Sequence, residues 1–145
     1  MKTQILDEAD GRKTYVAVFD AGDEPIEALT DFAMHEKLAG AHLTGIGAFS
    51  TVTLGFFDPF KRDYVKIPVS EQVEVVSLVG NIVLHEGEPR VHAHVVVAKR
   101  DGSALGGHLL EARVSPTLEI VIEDSSRKLT RRFDAASGLA LIDLG

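Results

Sequence analysis

The sequence predicts an α+β fold that combines a mainly antiparallel β-sheet with one principal helix near the N-terminus. Two patterns carry this prediction. Apolar residues recur at helical spacing in one stretch, between Pro25 and Gly40, whereas most of the remaining chain has the two-residue period of β-strands. A single helix followed by many strands is typical of α+β proteins whose strands pair antiparallel.

The predicted elements begin with a strand over Lys13–Asp20, where apolar and polar side chains alternate. A turn over Ala21–Glu24 follows, and Pro25 suits the first turn of a helix because the N–H that proline lacks needs no partner there. The apolar residues that give this helix one face are Ile26, Leu29, Phe32, Ala33 and Leu38.

Seven further segments are predicted to be β-strands, separated by turns rich in glycine, proline and aspartate. Two β-rich runs lie within Leu43–Phe57, around Gly45, Gly47 and Ser50. The other predicted strands are Tyr64–Val69, Val73–His85, Arg90–Lys99, Thr117–Glu123 and Lys128–Phe133, the last two as a final hairpin before an apolar-tipped tail. No repeat or linker divides the chain, so we expect a single domain over residues 1–145.

Composition limits the function. The chain is 45% hydrophobic, has no cysteine, and contains no run approaching the ~20 apolar residues of a membrane span. Its first residues lack the apolar core of a signal peptide, so we expect a cytoplasmic protein without a membrane partner. The net charge of −7 opposes unaided binding to nucleic acid, for which a basic face supplies most of the affinity.

Three histidines carry the strongest chemical signal. His92 and His94 alternate within an apolar, β-branched run, so both imidazoles lie on the same face of a strand. His108 follows after a turn and the glycine pair Gly106–Gly107. Three convergent imidazoles could hold a divalent metal and leave a coordination position open for a ligand. Zinc suits such ligands, as do other transition metals.

Other residues are candidates for supporting this site. If Glu86–Pro89 form the loop of a hairpin, Asn81 faces His94 across the strands, on the same face as the histidines. Glu119 projects from an apolar strand and could serve as a ligand, a general base or a partner that orients a histidine. Gly106 and Gly107 allow close backbone approach and could shape a cofactor pocket that aims His108.

Simpler interpretations stand beside the metal site. His92 and His94 could be polar residues on a solvated strand face, and Asn81 could satisfy only backbone groups. Glu119 could form an ion pair at an edge or interface. A cupin also carries His-x-His on a strand, but it has a glutamate a few residues later, and Val95–Arg100 contains none.

The sequence closely resembles the PPC domain, the plants and prokaryotes conserved domain, over essentially its whole length. The resemblance lies mainly in Val73–Glu123, which contains the motifs SLVGN, HAH and GGHLL. Leu43–Pro59 is similar to the glycine-rich strand pair of the family, and Arg131–Leu144 is similar to its C-terminal end.

This resemblance implies an α+β fold assembled as a homotrimer, with a metal site that corresponds in the bacterial branch to His92, His94 and His108. In plants the domain follows an AT-hook that reads DNA, and this chain has no Arg-Gly-Arg-Pro hook. No defined reaction accompanies the family.

Three hypotheses follow. In the first, a homotrimer holds a divalent metal, with zinc as a candidate, near a small-molecule site, where Glu119 or Asn81 would assist any metal-assisted catalysis. In the second, the protein is a DNA-associated regulatory module like its plant relatives. In the third, the trimer is purely structural, and the histidines only pair with carboxylates.

Overall fold

The computed structural model describes residues 1–145, which form nine strands and one helix. The elements in chain order are β1 (Lys2–Ala9), β2 (Arg12–Phe19), α1 (Pro25–Glu36), β3 (Gly40–Asp58), β4 (Asp63–Val69), β5 (Val73–His85), β6 (Glu88–Ala98), β7 (Ala104–Asp124), β8 (Thr130–Asp134) and β9 (Leu139–Asp143). The predicted α+β class is confirmed, with strands predominating over a single helix.

The strand pairing closes on itself around two long strands. β3 and β7 pair antiparallel along most of their lengths, β5 lies on the other side of β3, and β6 pairs with both β5 and the first residues of β7. β2 pairs with the second half of β7, β1 covers β2, and β4 pairs with the end of β3. A short ladder between β5 and β8 is parallel, and all the others are antiparallel. The prediction of a mainly antiparallel sheet is therefore confirmed.

Helix α1 forms where the sequence supplies both end signals. The Glu24 side chain caps its N-terminus by accepting a hydrogen bond from the backbone N–H of Glu27 over 2.7 Å. Lys37 ends it in the left-handed conformation, with φ of 58°. The helix packs against β6 and β7 and buries Leu29 and Ala33 in the hydrophobic core. The opposite face of β6 is thereby left free of the helix.

The hairpin between β5 and β6 differs from its prediction in register. Its loop contains two residues, Glu86 and Gly87, both with positive φ (53° and 87°), instead of the four residues Glu86–Pro89. Two-residue loops of this kind match the twist of the flanking strands, and glycine adopts positive φ without a steric cost. The register therefore shifts by two positions, so Asn81 pairs with His92 and not with His94. Because the shift is even, the predicted faces of both strands are unchanged.

Two predictions near the C-terminus were wrong. Thr117–Glu123 is the end of the 21-residue strand β7, and β8 does not pair with it. β8 instead pairs with the end of β5 and forms a hairpin with β9, which occupies the predicted tail.

Strand β1 was not predicted, because every residue in it is exposed and the chain there has no buried apolar face. No helix of the structure has the length and apolar character needed to cross a membrane.

Candidate metal centre

Strand register brings the three predicted histidines together. His92 and His94 lie on β6 on the face opposite the buried Ala93 and Val95, and His94 is paired directly with His108 on β7. One ring nitrogen from each histidine can be chosen so that all three atoms lie within 4.8 Å of one another. The Nε2 atoms of His92 and His94 are only 3.2 Å apart. The arrangement offers three nitrogen donors to one ion.

The environment favours the neutral form of two of these imidazoles. Burial lowers the pKa of His92, and the nearby Arg131 charge lowers it further. Burial, with the charges of the other two histidines, lowers the pKa of His108 to about 4. Nδ1 of His108 is buried without a hydrogen-bond partner, and the Tyr64 ring stacks on this imidazole at 4.7 Å. Neutral imidazoles are the form that binds metals, so the donor set fits a divalent transition metal.

Arg131 on β8 joins the site from a second direction. Its Nη2 donates to Oδ1 of Asn81 over 2.8 Å and lies 3.2 Å from Nδ1 of His92, while its Nη1 donates to the carbonyl of Ala140 over 2.9 Å. A guanidinium only donates hydrogen bonds, so Nδ1 of His92 acts as the acceptor here. This contact assigns the proton of neutral His92 to Nε2, the nitrogen that faces His94.

A cavity of about 210 Å³ opens beside the histidines, between β6 and the β8–β9 hairpin. Its lining includes apolar side chains from β6 and β9, and its polar members are Tyr64, His85, Arg90, His92, His108 and Arg131. His85 has a buried Nδ1 with no hydrogen-bond partner. Larger cavities of about 400 and 510 Å³ lie over the middle of β3 and the second half of β7, and no histidine lines them. The smaller cavity is therefore the candidate site, because polar and titratable groups converge there.

The structure places the other predicted site residues differently. Asn81 contacts the site through Arg131. Gly106 and Gly107 lie within β7 and do not line the cavity, and Gly107 lets β7 approach β3 because a Cβ there would meet the carbonyl oxygen of Gly55 at 2.9 Å. Glu119 is exposed, pairs with Ile46, and lies eleven positions beyond His108 on β7 (from 108 to 119), about 35 Å of extended chain. Its catalytic role stays a prediction, and it is not brought to the histidines.

Sequence reasoning missed three residues of the site. The sequence placed Tyr64, His85 and Arg131 in predicted strands and assigned none of them to the site. The hairpin of β8 and β9 brings Arg131 and the cavity wall to β6, and no short-range spacing in the chain signals this contact. The resemblance over Arg131–Leu144 was the one signal that this segment belongs to the domain.

Comparison with known proteins agrees with this fold. The family model of the Plants and Prokaryotes Conserved (PCC) domain matches residues 6–126. A candidate DNA-binding protein from Bacteroides thetaiotaomicron has 30% sequence identity and a TM-score of 0.89, covering 97% of this chain and 96% of that one. A metal-containing protein from Archaeoglobus fulgidus has 32% identity and a TM-score of 0.82, covering 89% of this chain and 91% of that one.

A curated relative, the bifunctional protein GlmU of a Synechococcus strain, is 34% identical over 120 residues. The match covers 81% of this chain but only 18% of that protein. The shared region is therefore a small part of the larger protein.

Proposed function

The chain belongs to the Plants and Prokaryotes Conserved (PCC) domain family, and we propose that it is a homotrimer that binds a divalent transition metal through His92, His94 and His108. A small-molecule ligand would occupy the cavity beside the metal. The convergence of one nitrogen from each imidazole within 4.8 Å carries this proposal. The metal-containing relative from Archaeoglobus fulgidus supports it.

The donor set suits zinc, as it does other divalent transition metals. All three donors are imidazole nitrogens, and no carboxylate or cysteine belongs to the cluster, which disfavours the oxygen-seeking ions calcium and magnesium. When bound by three protein ligands, zinc keeps a position for water or substrate and acts there as a Lewis acid. The unpartnered Nδ1 of His108 is a polar atom that the protein alone leaves unsatisfied.

An exposed apolar surface supports the proposed trimer. Three large apolar side chains on neighbouring strands are exposed in the single chain. Ile46 on β3 is 61% exposed, and Val76 and Val79 on β5 are 56% and 47% exposed. Clustered exposure of this kind marks an interaction surface. Val79 is paired with His94, so a subunit contact over this surface would adjoin the histidines. We propose that a second copy of the chain covers it.

DNA binding is the alternative function, because a relative is described as a candidate DNA-binding protein. The chain has 22 acidic residues against 15 basic ones, so its overall field repels phosphate backbones. Fluorescence anisotropy with duplex DNA at low and moderate salt tests this alternative. Affinity that falls steeply with added salt would support DNA binding, whereas no binding at low salt would exclude this alternative.

The cytoplasmic location stays a prediction.

Elemental mass spectrometry on tag-free protein tests the metal proposal. We expect about one zinc per chain after incubation with zinc and desalting, and little metal in a His92→Ala/His94→Ala variant. His35→Ala, which removes an exposed histidine on α1, is the control and should bind as the wild type does. Absence of metal from the wild type after exposure to zinc, manganese and nickel would overturn the proposal.

A further inference from the structure

We propose that the cavity beside the histidines binds a small carboxylic acid with a short apolar chain, and that Arg131 binds its carboxylate group. This inference builds on the proposed metal site by naming the class of ligand. It rests on charge, free hydrogen-bond donors, and the size and lining of the cavity.

The charge of Arg131 has no counter-ion in the chain. The side chain is half-buried, and no carboxylate oxygen lies within 4.0 Å of its guanidinium, whereas Arg132, the next residue, pairs with Asp143 at 3.2 Å. Its contacts with protein are neutral acceptors: the Asn81 amide, the Ala140 carbonyl and the His92 ring. A partly desolvated cation without a counter-ion is costly, so an anion entering the cavity gains from neutralising it.

Arg131 also has donors to spare. A guanidinium carries five N–H groups, and the three neutral acceptors use at most three of them. Both hydrogens of Nη2 are directed at Asn81 and His92 and one hydrogen of Nη1 at Ala140, so Nε–H and the second Nη1–H are left, and each can donate to a carboxylate oxygen. Because Asn81 and Ala140 hold the guanidinium in place, little side-chain entropy is lost when it binds an anion.

The rest of the cavity selects for a small acid with an apolar part. Its volume of about 210 Å³ lies below the ~300–1,000 Å³ of pockets for drug-sized molecules. Val91, Leu139 and Leu141 supply apolar walls, and no acidic residue is among the lining. Arg90 adds a second cation to the lining, although Glu88 lies 3.5 Å from it. A metal at the histidines would add further positive charge.

Isothermal titration calorimetry with butyrate, and with butyramide as its neutral analogue, tests the inference on metal-free and zinc-loaded protein. We expect butyrate to bind the wild type at least tenfold more tightly than butyramide. Arg131→Gln should lose at least tenfold in butyrate affinity, and the matched control Arg132→Gln should stay within twofold of the wild type. Equal affinities for butyrate and butyramide in the wild type would overturn the inference without reliance on any variant.

Two further measurements are needed. One distinguishes a carboxylate from phosphate as the anion, and the other distinguishes failure of this inference from failure of the metal proposal. Inorganic phosphate that binds more tightly than butyrate, and depends on Arg131, would overturn the assignment to carboxylic acids. Zinc content is measured on each sample by elemental mass spectrometry. Butyrate binding through Arg131 in a protein that takes up no zinc would sustain this inference while the metal proposal fails. Zinc uptake with no preference for butyrate over butyramide would overturn this inference and leave the metal proposal standing.

Discussion

The guanidinium of Arg131 lies 3.2 Å from Nδ1 of His92, so a positively charged donor directly contacts an imidazole of the candidate metal site. The contact requires an unprotonated Nδ1. A neutral His92 that binds a metal through Nε2 carries its proton on Nδ1 instead, and Arg131 then has to release the ring. Metal binding through that atom therefore frees a hydrogen-bond donor of Arg131 for an anion.

We predict positive coupling between zinc and butyrate for this reason, with direct attraction between the ion and the carboxylate acting in the same direction. Butyrate should bind zinc-loaded protein about tenfold more tightly than metal-free protein, within the usual range of coupling free energies. Because linkage is reciprocal, saturating butyrate should raise zinc affinity by the same factor. Competition with a chromogenic chelator measures the second quantity. Unchanged or weaker butyrate binding after zinc loading would contradict the coupling.

Asn81 is predicted to act as a positioning residue for Arg131, because its Oδ1 accepts a hydrogen bond from Nη2 over 2.8 Å. Asn81→Leu should weaken butyrate binding about five- to tenfold, in line with the loss of a hydrogen bond to a charged group. Zinc content should stay near that of the wild type. Calorimetry on the double variant supplies the control: Asn81→Leu should have no further effect on butyrate affinity when Arg131 is already glutamine. Additive losses would show that Asn81 acts independently of Arg131.

The histidines could be predicted from sequence because their placement depends on local rules. Alternation along β6 puts His92 and His94 on one face whatever the register of the hairpin, so an error of two positions did no harm to that face. Arg131 could not be predicted in this way. Its place depends on a parallel contact of two residue pairs between β5 and β8, which joins segments nearly fifty positions apart (from 84 to 130).

The length of β7 was missed for a related physical reason. Gly106 and Gly107 were expected to shape a pocket and aim His108, because glycine relieves backbone restrictions. Here both residues lie within an extended strand, and Gly107 is used for close approach between neighbouring strands. The role of such a glycine depends on what faces it, which composition and spacing do not specify.

The two glycines are therefore predicted to differ in their tolerance of alanine. At Gly107 a Cβ would lie 2.9 Å from the Gly55 carbonyl oxygen and 3.3 Å from the Leu54 Cβ, so backbone must shift. Gly107→Ala should lower the free energy of unfolding by ~1–3 kcal/mol. At Gly106 the nearest atoms lie at 3.4 and 3.5 Å, so Gly106→Ala should change stability by less than ~1 kcal/mol. Urea denaturation measures both, and equal effects would contradict the proposed packing.

Ile46 is predicted to lie in the subunit interface, although it is 61% exposed in the single chain. Ile46→Lys should convert the trimer to monomer, because burying an unpaired ammonium is costly, whereas Glu119 on the adjacent strand can pair with it in the monomer. Leu6→Lys is the matched control, since Leu6 is 56% exposed and lies on β1, the terminal strand of the order, with β2 and β7 between it and β3. Analytical ultracentrifugation measures the masses. If the Ile46→Lys protein remains a trimer, the subunit interface lies elsewhere. If the wild type is a monomer, the proposed trimer is wrong.

The hydrogen bond between Tyr15 and Glu36 is predicted to stabilise the fold in a pH-dependent way. The hydroxyl of the buried Tyr15 donates to Oε2 of Glu36 over 2.9 Å, and this bond, more than any other contact, holds the pKa of the Glu36 carboxyl below its usual value. A carboxyl with a lowered native pKa contributes stability that is present above its unfolded pKa and lost as the pH falls through the native pKa.

Tyr15→Phe should therefore cost ~1–3 kcal/mol at pH 7, as expected for a hydrogen bond to a charged group. The difference from the wild type should shrink as the pH falls from about 5 towards 3, because protonation of Glu36 removes the charged acceptor in both proteins. Urea denaturation at a fixed protein concentration measures the free energy of unfolding at each pH. Tyr64→Phe is the control, because only the backbone N–H of Tyr64, and not its hydroxyl, donates a hydrogen bond to a carboxylate, and its effect should not shrink in acid. A Tyr15→Phe deficit that stays constant or grows on acidification would show that the hydroxyl acts through packing and not through the carboxylate.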